Sequence, residues 1–145
     1  MIRRATDSDI PALLAMGEQF APYVGWGTYS PERSEAMIRA LLTSGAVFVS
    51  ETDGRIDGAI LGTMTPIWYA QEDAAAELAL WVVPDSRGGR VARELVAAFE
   101  GWAKERGAQF ITMSDLRIGD EYPAGALFER LGYRVIERSH TKEVR

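Results

Sequence analysis

The chain of 145 residues contains no cysteine. This excludes disulfide bonds, thiolate zinc sites and a cysteine nucleophile. Histidine occurs once, at His140, so a histidine-based metal centre is not expected and no metal is assigned. No run approaches the ~18 apolar residues of a membrane span, and the N-terminus lacks the apolar core of a secretion signal. The expectation is therefore a cytoplasmic protein with no membrane partner. Positive charge is the minority: 16 Lys and Arg against 21 Asp and Glu leave a net charge of −5. An isoelectric point near 4.9 argues against general nucleic-acid binding. It is compatible with a cationic acceptor such as an amine. Two phosphate-loop signatures are also missing: there is no G-K-[ST] and no G-x-G-x-x-G.

What is present is enough for a core. Hydrophobic residues make up 47% of the chain, and its length fits a single domain over 1–145. Residues 1–4 read as a short strand and Thr6-x-x-Asp9 as a capping box. Ile10, Leu13 and Leu14 give the apolar face of a helix ending near Phe20, because Pro22, Gly25 and Gly27 break the periodicity over 21–29. Ser30-Pro31 fits an N-cap followed by proline in the first turn, with Met37, Ile38, Leu41 and Leu42 as the buried face of a second helix. Strands are predicted over 46–51 and 56–65, joined at Asp53-Gly54. A loop over 66–73 carries Trp68 and Tyr69. Later come a strand over 109–113, a polar loop over 114–123, and a short helix over 124–131 closed by Gly132. Residues 133–138 and 141–144 are terminal strand candidates. Hairpins followed by βα units predict an α/β fold with a mixed, mostly antiparallel sheet.

The most informative stretch spans residues 76–107. Residues 77–83 form an apolar run ended by Pro84, as expected of one buried strand. A short turn, Arg87-Gly88-Gly89-Arg90-Val91-Ala92, follows. Val91, Leu95, Ala98, Phe99 and Trp102 then recur at helical spacing up to the stop at Gly107. Strand, glycine-bearing turn and helix together make an anion site, since the first helical amides lack internal partners and carry partial positive charge. Arg87, Arg90 and Arg93 add full charges there. An ordinary βα turn with solvated arginines has the same spacing, so the turn alone leaves both readings open.

Val83-Pro84-x-x-Arg87-Gly88, with a small residue at Ala92, resembles the acetyl-CoA-binding segment of the GCN5-related N-acetyltransferase (GNAT) superfamily. Leu127-Phe128-Glu129-Arg130-Leu131-Gly132-Tyr133 resembles the segment those proteins carry near the C-terminus. Ile2-Arg3-Arg4-Ala5-Thr6-x-x-Asp9-Ile10 resembles their usual opening. The matches span most of the chain in the family's order. The resemblance implies a three-layer α/β/α fold whose twisted, mixed sheet of six to seven strands is split by a V-shaped cofactor cleft. It implies acetyl-CoA as co-substrate and transfer of its acetyl group to a primary amine of a small molecule or protein, by direct attack on the thioester. The amides of Arg87, Gly88, Gly89, Arg90, Val91 and Ala92 would hold the pyrophosphate, and Val82 and Val83 would pair with pantetheine.

Two departures stand out. Arg90 occupies a position where the family most often has a second glycine; it can offer its amide or simply lie in solvent, and a non-glycine residue resists positive φ. Phe128 stands where the family commonly has a tyrosine that protonates the leaving thiolate, so Phe128 either packs beside the cofactor or serves the core. A catalytically silent acyl-CoA-binding module is the alternative this substitution favours. Attack by an amine needs a base. Glu77 is the best-placed carboxylate, and strict alternation puts it on the face of Ala79, Trp81 and Val83; the alternative is a strand-end glutamate in solvent or in an ion pair. Tyr23, Trp26, Tyr29 and Trp68 are candidate walls of an acceptor site, since aromatic walls suit an apolar or cationic ligand. Buried packing or a homodimer contact would use the same residues.

Overall fold

Asp53 and Gly54 both take positive φ, 51° and 74°. Two consecutive left-handed residues make the turn whose twist matches a hairpin, and it closes β2 (Ala46–Thr52) onto β3 (Arg55–Pro66). β1 (Ile2–Arg4) pairs with the outer side of β2. β4 (Asp73–Val82) pairs with β3, and β5 (Phe110–Thr112) adds to β4 in parallel. The computed structural model describes all residues, 1–145. They group into two compact units, Met1–Ser114 and Asp115–Arg145.

The first unit is a sheet of order β1-β2-β3-β4-β5, antiparallel except for the last pair. On one face lies α3 (Val91–Glu105), whose Leu95, Val96, Phe99, Trp102 and Ala103 are buried as its periodicity predicts. On the other lie α1 (Ile10–Val24) and α2 (Pro31–Ser44), which pack Leu13, Met16, Ile38 and Leu41 onto Val47, Val49 and Ala59. Two glycines let α3 approach the sheet. A Cβ on Gly58 would lie 2.9 Å from Val91 Cγ1, and one on Gly62 would lie 2.3 Å from Phe99 Cε2. Gly62→Val should therefore destabilise by at least about 1–3 kcal/mol, because Phe99 is fully buried and cannot yield. Denaturant unfolding checks this; an unchanged midpoint would contradict the packing.

The predicted caps form. Thr6 N–H donates to Asp9 Oδ2 at 2.8 Å, and Arg33 N–H donates to Ser30 Oγ at 3.3 Å. Asp9 also receives both guanidinium nitrogens of Arg3, at 2.8 and 2.9 Å. Hydrogen bonds from Arg3 hold this buried carboxyl down at about 2. Two boundaries differ from the sequence reading. α1 does not stop at Phe20 but runs through Pro22 to Val24, ending at Gly25 with φ 76°. Its last turn is held by packing: Phe20 and Tyr23 both meet Trp81 edge-on, with centroids 6.1 and 5.1 Å away. β4 begins at Asp73 rather than Glu77, since Ala74, Ala75 and Ala76 pair with Thr65, Met64 and Thr63 in turn across the ladder.

The second unit contains α4 (Gly125–Arg130), followed by Gly132 with φ 91°. The terminal strands expected over 133–138 and 141–144 do not form, so the sheet has five strands rather than six to seven. Val135, Ile136 and Val144 are exposed at 75%, 76% and 87%. Their β propensity finds no partner ladder, and an unpaired strand leaves its backbone groups unsatisfied.

Candidate active site

The site is built where β4 loses its neighbour. Parallel pairing with β5 covers only Ala74–Ala76 against Phe110–Thr112. From Glu77 onward β4 is paired on the β3 side alone, so its other edge opens into a fork. Val83 N–H donates to Asp57 O at 3.0 Å. By the alternation of an antiparallel ladder, the N–H and C=O of Val82 and of Leu80 then face the open edge. Val83 does not share that edge, because its amide is bound to Asp57 and its carbonyl accepts from Ser86 N–H at 2.9 Å. Leu80 escapes a sequence reading because the ladder phase depends on long-range pairing.

A bulge sets the faces. Leu61 opposes Ala79 while Gly62 opposes Glu77, leaving Leu78 as the extra residue. Strict alternation would join Glu77 to the face of Ala79 and Trp81. The bulge reverses this: Glu77 shares the face of Gly62, Ile60 and Leu80, the one covered by α3, whereas Leu78, Ala79 and Trp81 line a cavity under α1 and α2.

Glu77 sits at the apex of the fork and is 8% exposed. Ser114 N–H, just past β5, donates to its Oε2 at 2.9 Å. Its Oε1 makes no bond within the protein. Burial pushes the carboxyl up to about 7, and the Ser114 bond opposes that only in part. One oxygen is thus anchored and the other is free, on a group poised to exchange a proton near neutrality.

The turn before α3 has the geometry of an anion cradle. Gly88 takes φ 78°, and a Cβ there or on Gly89 would meet nothing closer than Ser86 O at 3.9 Å. Arg90 has φ −94°, so the missing second glycine costs no strain; the left-handed position falls on Gly88. The first backbone bond of α3 runs from Glu94 N–H to Arg90 O at 2.9 Å, which leaves the preceding amides of Gly89, Arg90, Val91 and Ala92 for another acceptor. These features fit a pyrophosphate. The arginine side chains are engaged elsewhere. Arg90 pairs with Glu94 at 3.2 Å. Arg87 Nε donates to Val82 O at 2.8 Å, and its guanidinium lies 4.4 Å over Trp81 and 5.7 Å from the Tyr23 ring. In this conformation Arg87 closes one of the acceptors on the open edge.

The aromatic candidates divide. Trp26 and Tyr29 line the cavity, of about 440 Å³, together with Trp81. Tyr29 is fixed there by its hydroxyl, which donates to Leu14 O at 2.8 Å, and Gly17 makes room for its ring. Tyr23 packs on Trp81 and Arg87 instead. Trp68 is 91% exposed and stacks edge-on with Tyr69 at 5.2 Å, away from the cavity lining. Phe128 is buried within the second unit, its ring 5.8 Å from that of Tyr133. No group of acidic or histidine side chains is arranged to hold a metal. No helix is long and apolar enough to cross a membrane.

A split mixed sheet with an anion cradle at the start of its long helix is an arrangement that can hold a phosphorylated ligand along the open edge of β4. The profile of the Acetyltransferase (GNAT) family matches residues 14–133, and the chain belongs to that family. Solved structures share the fold at low identity. AAC(6')-Iy, in complex with a bisubstrate analogue of CoA and acetylneamine, superposes with a TM-score of 0.80 at 17% identity over 100% of this chain and 97% of that one. A Clostridium acetobutylicum protein holding acetyl-CoA gives 0.80 at 14% identity over 99% and 95%. A Bacillus halodurans transcriptional regulator gives 0.79 at 21% identity over 99% of both chains. No curated protein sequence matches.

Proposed function

We propose that the chain transfers the acetyl group of acetyl-CoA to a primary amine of a small molecule or protein. The observation that carries this reading is Glu77, a buried carboxyl with one free oxygen at the apex of the β4/β5 fork, directly upstream of the phosphate-type turn. Bound acetyl-CoA supplies an activated thioester carbonyl. The amides of Gly88 to Ala92 would hold its pyrophosphate, while Leu80 and Val82 offer the backbone groups of the open edge. Arg87 would release Val82 O to complete that edge. Glu77 takes up the proton, directly or through water, as the new N–C bond forms and the C–S bond breaks. The sulfur leaves with the electron pair, and a thiol-like pKa lets it do so without a fixed acid, which suits a chain with Phe128 in place of a tyrosine.

The test is free-thiol release from acetyl-CoA across a panel of amines and peptides. Amine-dependent release is expected. Binding of acetyl-CoA without release from any acceptor would favour the silent acyl-CoA-binding module, for which the absence of a hydroxyl at Phe128 is the supporting observation. No binding at millimolar acetyl-CoA would remove both readings.

A further inference from the structure

The protein is acidic, yet the cavity under α1 and α2 is not. None of its lining residues is a carboxylate, although 21 of the 145 residues are Asp or Glu. Its single charged lining residue is Arg33, at the exposed rim on α2, and no ion pair occupies that guanidinium. The Tyr29 hydroxyl is already spent on Leu14 O. Apart from the Ser34 hydroxyl beside Arg33 on α2, the rest of the wall is apolar, with Phe20 and Trp81 set edge to face at 6.1 Å. The volume, about 440 Å³, falls within the range of small-molecule sites. The wall ends beside the fork: Leu78 and Ala79 of the bulge line it, and Glu77, whose side chain lies on the other face of the sheet, is the neighbouring residue along β4.

Such a wall discriminates by charge. An ammonium buried here would lose its hydration with no counter-charge in reach. A second ammonium at the mouth would meet Arg33, a like charge. An apolar body gains from leaving water in proportion to the area it buries, and a planar ring finds an aromatic wall. Resting on the acetyl-transfer reading above, we propose that this cavity receives the body of the acceptor and selects a monoamine with an aromatic or branched aliphatic body over a polycation.

Two measurements test this. The first is thiol release from acetyl-CoA with 2-phenylethylamine or spermidine as acceptor. The expected kcat/KM favours 2-phenylethylamine by about tenfold or more; equal or better use of spermidine would overturn the proposal and leave acetyl transfer standing. The second is calorimetric binding of 2-phenylethylamine to the protein saturated with coenzyme A. Ala79→Phe, which fills the cavity from the sheet side, should abolish this binding while the acetyl-CoA melting shift persists. Unchanged affinity in that variant would also overturn the proposal. Arg33→Glu, at the exposed rim, serves if Ala79→Phe does not fold. It should raise the relative use, or the competing binding, of spermidine about tenfold, and no change would count against the proposal. If no amine releases thiol but 2-phenylethylamine binds and Ala79→Phe or Arg33→Glu responds as stated, acetyl transfer fails and the selectivity of the cavity stands.

Discussion

Glu77→Gln should lower turnover by roughly 10²–10⁴-fold while leaving acetyl-CoA affinity nearly intact. The substitution keeps size and can still accept the Ser114 N–H, but removes the base. In the parent, kcat/KM should rise with pH through about 7, where burial has pushed this carboxyl. In the variant that step should vanish. Stability supplies an independent readout. The folded-state value lies above the ordinary 4.5, so burial of the neutral acid favours the fold at low pH. That advantage is lost as pH rises from the unfolded value through about 7, by up to ~3 kcal/mol. Glu77→Gln should flatten the decline. Thiol release against pH and denaturant midpoints at pH 5 and 8, for both proteins, make the measurement. Unchanged kinetics with a flattened stability curve would mean that Glu77 is buried as described but is not the base.

Gly88→Asp should eliminate the acetyl-CoA-dependent rise in melting temperature. In the parent, a ligand at a hundredfold excess over its Kd stabilises by about 2.7 kcal/mol, or roughly 5–10 °C for a chain of this size. Gly88 needs φ 78°, which Asp and Asn tolerate about equally among non-glycine residues. Gly88→Asn therefore carries the backbone cost alone, and Gly88→Asp adds a negative charge beside the expected pyrophosphate. The asparagine variant should keep part of the shift and the aspartate variant none. Equal shifts in parent and Gly88→Asp would mean that the turn does not hold the phosphates.

Local signals were read well where a residue acts through its own backbone. Asp53-Gly54 specified a hairpin because both residues accept left-handed dihedrals. Ser30-Pro31 specified a helix start, and Gly107 and Gly132 specified helix stops, for equally local reasons. The periodicity of Leu95, Phe99 and Trp102 identified the buried face of α3 before any partner was known. Pro22 misled because proline weakens a helix by removing one bond, a cost that contacts of Phe20 and Tyr23 with Trp81 offset. The β-branched residues after Gly132 misled in the opposite way, since propensity without a neighbouring strand makes no sheet.

By itself the sequence determined the class of fold, the family to which residues 14–133 belong, and the glycine turn before the long helix. These follow from short-range dihedral preference, periodicity and motif spacing. Only the tertiary structure decided which way Glu77 points, that Leu80 rather than Val83 shares the open edge with Val82, and that Arg87 lies on Trp81. The first depends on one extra residue in β4, and a bulge exists only relative to the strand it opposes; the second depends on the bond from Val83 N–H to Asp57 O, and the third on a side chain meeting a ring six residues earlier in another element. The carboxylate-free cavity wall is likewise a product of packing: its residues come from two helices, the segment joining them and two strands, and no local pattern records that they avoid every carboxylate of an acidic chain.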